Sequence, residues 1–296
     1  MIKRTIVLSS PSRISLSNGQ MICVNLDDET KVNRAPIEDL GVVIIENQRV
    51  VFTVPVLNAL ADNNTTVVFC DRQMMPNSVL TGLNVNSTQN EMLKAQVSMI
   101  DTPMNKRLWK QIVEAKIKNQ ASLLNKLGLD GAKLRPLYSN VTSGDSDNRE
   151  GAAARLYWRM LFGKEFCRER EGNPPNNMLN YGYSVLRSAV VRAMMGTGIN
   201  PSFGIFHRNR YNPMPLADDV MEPFRPFVDE IVYGLASNGE TELTTEVKSY
   251  LIGVLSCDTL YGDMRRPLQL GLSLTTASLG RCYLNKEKKL MLPLLE

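Results

Sequence analysis

Between residues 4 and 71 the apolar positions fall in short runs rich in Val, Ile and Thr: RTIVLSS, SRISLSN, GQMICVNL, GVVIIEN, RVVFTV and TTVVFCD, broken by Pro, Gly, Asn and Asp. Runs of this length between turn-forming residues predict β-strands. A single stretch, VLNALADN, reads as helical among them. The pattern changes around Asn84-Val85-Asn86-Ser87, and from Glu91 onward apolar residues recur at three and four positions rather than two, the period of a helix buried along one stripe. MNKRLWKQIVEAKIKNQASLLNKLG sets Leu108, Ile112, Ala115, Leu123 and Leu127 on one such stripe. DNREGAAARLYWRMLFG, NMLNYGYSVLRSAVVRAMMGTG, TTEVKSYLIGVLS and PLQLGLSLTTASLGRCYL follow, the second of these ending in glycines that stop a helix. The expectation is an α+β chain with segregated elements: an N-terminal β-sandwich over residues 1–86, then a larger, mostly α-helical domain over residues 87–296, with the linker at 84–87.

Composition narrows the class. With 296 residues, 43% hydrophobic and 22% charged, the chain can fill two cores, carries too few charges for disorder, and has no apolar run long enough to cross a bilayer. The apolar stretch in MIKRTIVLSS is too short for an export signal, and the five cysteines are odd in number, widely spaced and without a C-x-x-C pair. A reducing cytoplasm is expected, with neither a disulfide framework nor a thiolate zinc site. Residues 1–86 hold seven Lys and Arg against eight Asp and Glu, whereas residues 87–296 hold 27 against 22, so the helical part carries the positive excess.

His207 is the only histidine. It follows Gly204-Ile205-Phe206, stands beside Arg208 and Arg210, and is succeeded by Asp218, Asp219 and Glu222. A helix beginning near Pro215 would hold these three acids on one face, where they repel unless a cation joins them. Imidazole with two or more carboxylates is a ligand set for Mn²⁺ or a similar divalent ion. Two readings fit the aspartates: they cap a helix start and favour its dipole, or they belong to such a site. Glu222 lies too far into the segment to cap it, and Pro223 leaves the helix path open. Glu150 likewise has two readings. It completes a capping box with Asp147, or it is an acid beside a small-residue surface (Gly151 and three alanines) that lets a ligand come close.

Cations surround every acidic candidate. Lys106, Arg107, Lys110, Lys116 and Lys118 share a helical segment with Trp109; Arg149, Arg155 and Arg159 flank Glu150; Arg208 and Arg210 flank His207; Arg225 follows Glu222. Each alone is a solvated charge, but together they suit a phosphodiester polymer, nucleic acid being the simplest, because a guanidinium fork matches phosphate geometry. The phosphate-binding loop G-x-x-x-x-G-K-[ST], the dinucleotide fingerprint G-x-G-x-x-G and the nucleophile elbow G-x-S-x-G are all absent from the sequence, and one histidine cannot serve both a triad and a metal site.

Four blocks in order, E-G-A-A-A-R-L-Y-W with Glu150, N-Y-G-Y-S-V-L, G-I-F-H with His207 and L-A-D-D-V-M-E-P-F-R-P with Glu222, resemble the signature of the CRISPR-associated integrase that inserts new spacers, the catalytic subunit of CRISPR adaptation. The similarity spans nearly the whole chain and is nearest to the form from systems with a single RNA-guided effector nuclease. The resemblance implies that Glu150, His207 and Glu222 are catalytic and bind Mn²⁺ or Mg²⁺ on the helical domain, with Asp219 as an additional acidic position; here Asp218 and Asp219 stand side by side, so either could face the metal. It further implies a homodimer formed through the β domain, double-stranded DNA as spacer precursor and repeat, and a small ferredoxin-like CRISPR partner in a heterohexamer; the effector nuclease is a further candidate partner. Lys106, Arg107, Lys110, Arg149, Arg155, Arg159, Arg208, Arg210 and Arg225 are the candidate DNA-binding residues. Two alternatives stand beside this: a DNA-binding assembly subunit with a structural acidic cluster, and a general metal-dependent phosphodiesterase acting on branched DNA.

Overall fold

The computed structural model describes residues 3–72, 75–83, 86–169 and 172–296. The first strands are β1 (Arg4–Leu8), β2 (Ser12–Ser17), β3 (Gln20–Asn25), β4 (Val32–Pro36), β5 (Leu40–Ile45) and β6 (Val51–Phe52), followed by helix α1 (Val54–Asp62), β7 (Thr66–Cys70) and β8 (Pro76–Leu80). They form two four-stranded sheets, ordered β1-β5-β7-β8 and β4-β3-β2-β6. The VLNALADN stretch is α1, with Pro55 in its first turn. As a crossover, α1 lets β5 and β7 pair in parallel, so the first sheet is mixed. All six expected strands are present. β4 and β8 were not anticipated: each is an edge strand, and β4 is largely exposed and lacks alternation. Of the expected linker, Asn84 and Val85 lie outside the described residues.

The helical body comprises α2 (Gln89–Met99), α3 (Pro103–Lys126), α4 (Arg135–Ser139), α5 (Arg149–Phe162), α6 (Asn176–Gly196), α7 (Pro215–Met221), α8 (Arg225–Ser237), α9 (Thr245–Ile252) and α10 (Leu268–Tyr283). A hairpin of β9 (Asp258–Tyr261) and β10 (Met264–Pro267) precedes α10. Its strands are too short for a periodicity signal, and its turn uses Gly262 at φ +61°. α6 is apolar around most of its circumference, from Met178 to Met194, because it is packed by α7, α8, α9 and α10 and by the sheet.

The uninterrupted run Leu40-Gly41-Val42-Val43-Ile44-Ile45 is explained by burial on both faces of β5. Val43 and Ile45 face the sandwich core with Ile14, Met21, Val56, Leu60 and Val67. Val42 and Ile44, with Val68 and Cys70, face the helical body and join its core. One sheet therefore belongs to both hydrophobic cores, and this shared layer fixes the sandwich against α6.

Candidate functional site

Three elements converge on one cluster of charged side chains. α3 is started by Thr102, whose hydroxyl accepts from the Asn105 amide (3.3 Å), with Pro103 in the first turn. α5 begins differently from the expected capping box. Asn148, not Asp147, is the N-cap; it sits in the left-handed region at φ 52° and accepts from the Gly151 amide (3.2 Å). Asp145 accepts from the amides of Arg149 (2.8 Å) and Glu150 (3.0 Å). The orphan amides of the first turn are thereby satisfied by other side chains, and the Glu150 carboxylate is released from capping. It reaches α3 instead.

Glu222 lies at a break. α7 ends at Met221, a single 3-10 turn covers Glu222–Phe224, and α8 starts at Arg225 with Pro226 in its first turn. Pro223 removes one backbone donor from the helix path, which tightens the turn. Asn119 of α3 donates to the Pro223 carbonyl (2.7 Å) and the Pro293 carbonyl (3.0 Å), clamping the turn against α3.

Lys116, one turn before Asn119, is the meeting point. Its ammonium hydrogen-bonds Glu150 Oε1 and lies 2.5 Å from Glu222 Oε2. Arg225 Nη2 holds the other oxygen, Glu222 Oε1, at 3.1 Å. Burial opposes ionisation of Glu222, but Arg225 and Lys116 outweigh it and hold the carboxyl below its ordinary value. Burial likewise works against the Lys116 ammonium, and Glu222 and Glu150 outweigh it, so its pKa is raised. Lys116 was expected among the surface cations of its helix; it is buried instead, because it occupies the apolar stripe between Ile112 and Leu123. That lysine on an apolar stripe is the sequence signal for it.

His207 is positioned by Asp219. Asp219 is fully buried, and its Oδ2 accepts from the amides of Ile205 (2.6 Å) and Phe206 (2.9 Å), while Oδ1 accepts from the His207 amide (3.2 Å) and lies 2.5 Å from His207 Nδ1. The loop wraps the carboxylate so closely that a Cβ at Gly204 would stand 2.3 Å from the His207 carbonyl, which is why glycine is required there. The hydrogen bond to Asp219 raises the His207 pKa against the opposing effect of burial, and the imidazole is near enough to Glu222 to feel its charge. Burial pushes the Asp219 carboxyl up, with His207 and the loop amides opposing. Nε2 is left for a second partner, and the side chain is 42% exposed. Trp109 lies edge-on to the imidazole at 5.8 Å and stacks on Phe206 at 4.4 Å.

The two aspartates therefore diverge, and the expectation that Asp218, Asp219 and Glu222 share one face is corrected. Asp219 turns inward, with both oxygens accepting from the 205–207 loop, and holds the imidazole. Asp218 turns to Arg187 (2.7 and 3.2 Å) and Asn212 (2.6 Å). These last residues, with Arg168, Asn180 and Arg225, line a cavity of about 460 Å³. Of the candidate DNA-binding cations, Lys106, Arg107, Arg155 and Arg159 are exposed and Arg149 is half-buried. Lys110 is 3.7 Å from Glu114, Arg208 pairs with Asp101, and Arg210 lies 4.6 Å from the Tyr211 ring centroid. Arg225 alone of these cations is tied into the acidic cluster.

Imidazole nitrogen and two carboxylates are donors suited to Mn²⁺ or Mg²⁺. Glu222 Oε2 is buried and has no aligned hydrogen-bond donor; its close neighbour is an ammonium. Among the described residues no three His, Cys, Asp or Glu side chains close around one point as a metal group. The donor chemistry fits a divalent ion, and the place between Glu150 and Glu222 is held by a cation of the protein's own.

A β-sandwich joined through a shared sheet to a helical body, with two glutamates from separate helical elements meeting a lysine and an arginine, defines an α+β protein whose helical part carries the positive excess. The family model described as "CRISPR associated protein Cas1" matches residues 5–253, and the chain belongs to this family. It is 39% identical over 259 residues to the CRISPR-associated endonuclease Cas1 of Neisseria meningitidis serogroup C (strain 8013), covering 86% of this chain and 84% of the relative. Among solved structures, a casposase bound to integration product matches with TM-score 0.80 at 18% identity, over 98% of this chain and 92% of that one. A Cas6-RT-Cas1–Cas2 complex matches with TM-score 0.75 at 21% identity, over 98% of this chain and 36% of that one.

Proposed function

We propose that this chain is a metal-dependent DNA integrase and endonuclease that inserts short duplex DNA, as new spacers, into a CRISPR array. The observation that carries the reading is the meeting of Glu150 and Glu222, from separate helical elements, on one ammonium beside His207. Family membership and the relative's endonuclease name support it. In the reaction, the 3′-oxygen of the incoming strand forms a bond to a repeat phosphorus, the bond from that phosphorus to the repeat's own 3′-oxygen breaks, and the proton passes from the attacking to the leaving hydroxyl. With water as nucleophile the same site nicks DNA. Mn²⁺ or Mg²⁺ held by Glu150, Glu222 and His207 Nε2 would polarise the phosphate and stabilise charge on the entering and leaving oxygens.

The protein's own residues supply placement. Asp219 fixes the imidazole by its Nδ1, which directs Nε2 away from the carboxylate. Arg225 orients Glu222 and also lines the adjoining cavity, where Arg168 and Arg187 offer guanidinium groups to a phosphate chain. Lys106, Arg107, Lys110, Arg149, Arg155, Arg159, Arg208 and Arg210 extend the positive surface along the duplex, so affinity falls steeply with salt. The edge strands of the sandwich and exposed Val32, Val51 and Val54 support a homodimer through that domain. A structure that shares the fold is a Cas6-RT-Cas1–Cas2 complex, in keeping with a second CRISPR protein as partner, here proposed to be small and ferredoxin-like. Among the described residues no helix is long and apolar enough to cross a membrane.

The neutralisation of the two glutamates by Lys116 and Arg225 favours one other reading, a DNA-binding assembly subunit with a structural acidic cluster. Strand transfer of a labelled short duplex into supercoiled plasmid carrying a repeat, with Mn²⁺ or chelator, separates them when the small partner is supplied. Metal-dependent product from the wild type and none from His207→Ala, with DNA binding intact in both, is the expected result. Equal product from both proteins would remove His207 from the site, and DNA binding without product from either would favour the assembly subunit.

A further inference from the structure

We propose that Lys116 is a resident counter-ion of the Glu150 and Glu222 pair that an incoming divalent ion displaces, releasing its ammonium to a DNA phosphate, so that metal binding and DNA binding reinforce each other through this one side chain. The inference rests on the metal-site reading above. Its basis is the position of the lysine. Helical periodicity places Lys116 on the apolar face of α3, where a lysine is unfavourable unless paired, and it is paired twice. The oxygens it meets are those of the two glutamates proposed for the divalent ion. A unit charge and a divalent ion repel strongly at such separations in a partly dry site, so both cannot keep the same oxygens.

The surroundings permit the exchange. Lys116 meets Glu222 Oε2 at 2.5 Å as a compact cation, so an incoming cation would find that oxygen already facing a positive charge whose place it can take. Arg225 stays on Oε1, so the carboxylate keeps its orientation after the lysine leaves. Glu150 and His207 are 29% and 42% exposed, whereas Lys116 is 9% exposed, so the ammonium lies beneath a mouth open to solvent. A long unbranched stem lets a compact ammonium move several ångströms without backbone change. Turned toward the mouth it meets whatever anion lies there, and in this reading that anion is the target phosphate. Without DNA the displaced ammonium has no partner beside the new ion, so metal binds weakly. With DNA it has one, and linkage requires metal to strengthen DNA binding by the same factor.

The test is calorimetric titration of Mn²⁺ into wild type, Lys116→Met, Lys116→Gln and Glu222→Gln, each alone and with a short duplex of repeat sequence whose 3′ ends are dideoxy and unreactive. The wild type should bind Mn²⁺ roughly tenfold more tightly with DNA than without, within the usual range of coupling between sites. Both Lys116 variants should bind Mn²⁺ roughly tenfold more tightly than wild type when DNA is absent, and adding DNA should change little. Circular dichroism checks folding, and Lys116→Gln keeps the test open if the Met variant fails to fold. Lys116 variants with wild-type or weaker metal affinity, or with coupling to DNA retained, would overturn the proposal. The Glu222→Gln arm separates the two ideas: if it loses Mn²⁺ while the lysine variants behave as wild type, only the lysine proposal falls, and if it binds Mn²⁺ as wild type does, the metal-site reading falls with it.

Discussion

Lys248 and Lys116 are both buried beside a glutamate, Lys248 where α9 meets the shared sheet and Lys116 beneath the His207 loop. Lys248 lies 3.1 Å from Glu46 Oε1, and the Tyr181 hydroxyl donates to the same oxygen at 3.0 Å. Glu46, Lys248 and Tyr181 are all buried, and the ammonium meets the acid over an aromatic face. Around Lys116, two acids and a second cation converge, and Glu150 and His207 reach solvent. A buried ion pair is therefore not by itself a mark of chemistry. Around Lys248 the pair makes a joint between layers, whereas around Lys116 the carboxylates come from separate elements and Glu150 reaches solvent.

The largest effect expected from substitution separates the two lysines. Glu46→Ala leaves Lys248 buried without that carboxylate and should cost about 3–5 kcal/mol in urea unfolding. Glu222→Ala should cost clearly less stability, because Glu150 stays on Lys116, yet strand transfer should fall on the order of a hundredfold or more with the loss of a ligand to the divalent ion proposed to stabilise developing charge. Equal destabilisation by the two would erase the distinction. Next comes Asp219→Asn, which disturbs the imidazole and not the glutamates. Activity should drop roughly 10- to 100-fold, the usual cost of losing a partner that orients a ligand. Nuclear magnetic resonance titration of His207 should show its pKa fall in the variant; an unmoved pKa would show that Asp219 does not hold the ring.

The smallest effect concerns a buried carboxylate without an ammonium. Asp229 accepts from the hydroxyls of Tyr157 (2.8 Å) and Tyr183, and burial pushes its carboxyl up from 3.8 to about 6, whereas Arg225 and Lys116 draw Glu222 down. A folded pKa above the unfolded one means that the associated stability is complete below about pH 4 and is lost as pH rises through about 6. The unfolding midpoint of Asp229→Asn should lack that part of the decline between pH 4 and 7. A variant with the wild-type pH profile would show that Asp229 ionises as it does in the unfolded chain.

The alternation of strands and the three-four spacing of helices were readable because burial on one face repeats locally. β5 shows how far this extends: its unbroken apolar run marks a strand, but only the packed sheet assigns Val43 to one core and Val42 to the other. β4, β8 and the β9–β10 hairpin escaped because pairing with the adjacent strand, not an alternating apolar pattern of their own, makes them strands. At α5 the local rule pointed to Asp147 as the cap, and Asn148 with Asp145 took that role, since a left-handed residue and a preceding turn bring their oxygens nearer to the amides.

By itself the sequence determined the class of the fold, six strands of the sandwich, the longest helices and the residue types at the acidic cluster, because periodicity and chemical type are properties of neighbouring residues. Which acids meet was decided by tertiary structure. Successive helical residues point about 100° apart, so Asp218 and Asp219 went to different partners, while Glu150 and Glu222 were brought to one ammonium by the packing of α5 and the α7–α8 turn on α3. Distances between remote side chains are fixed by how helices pack, and no local pattern records them.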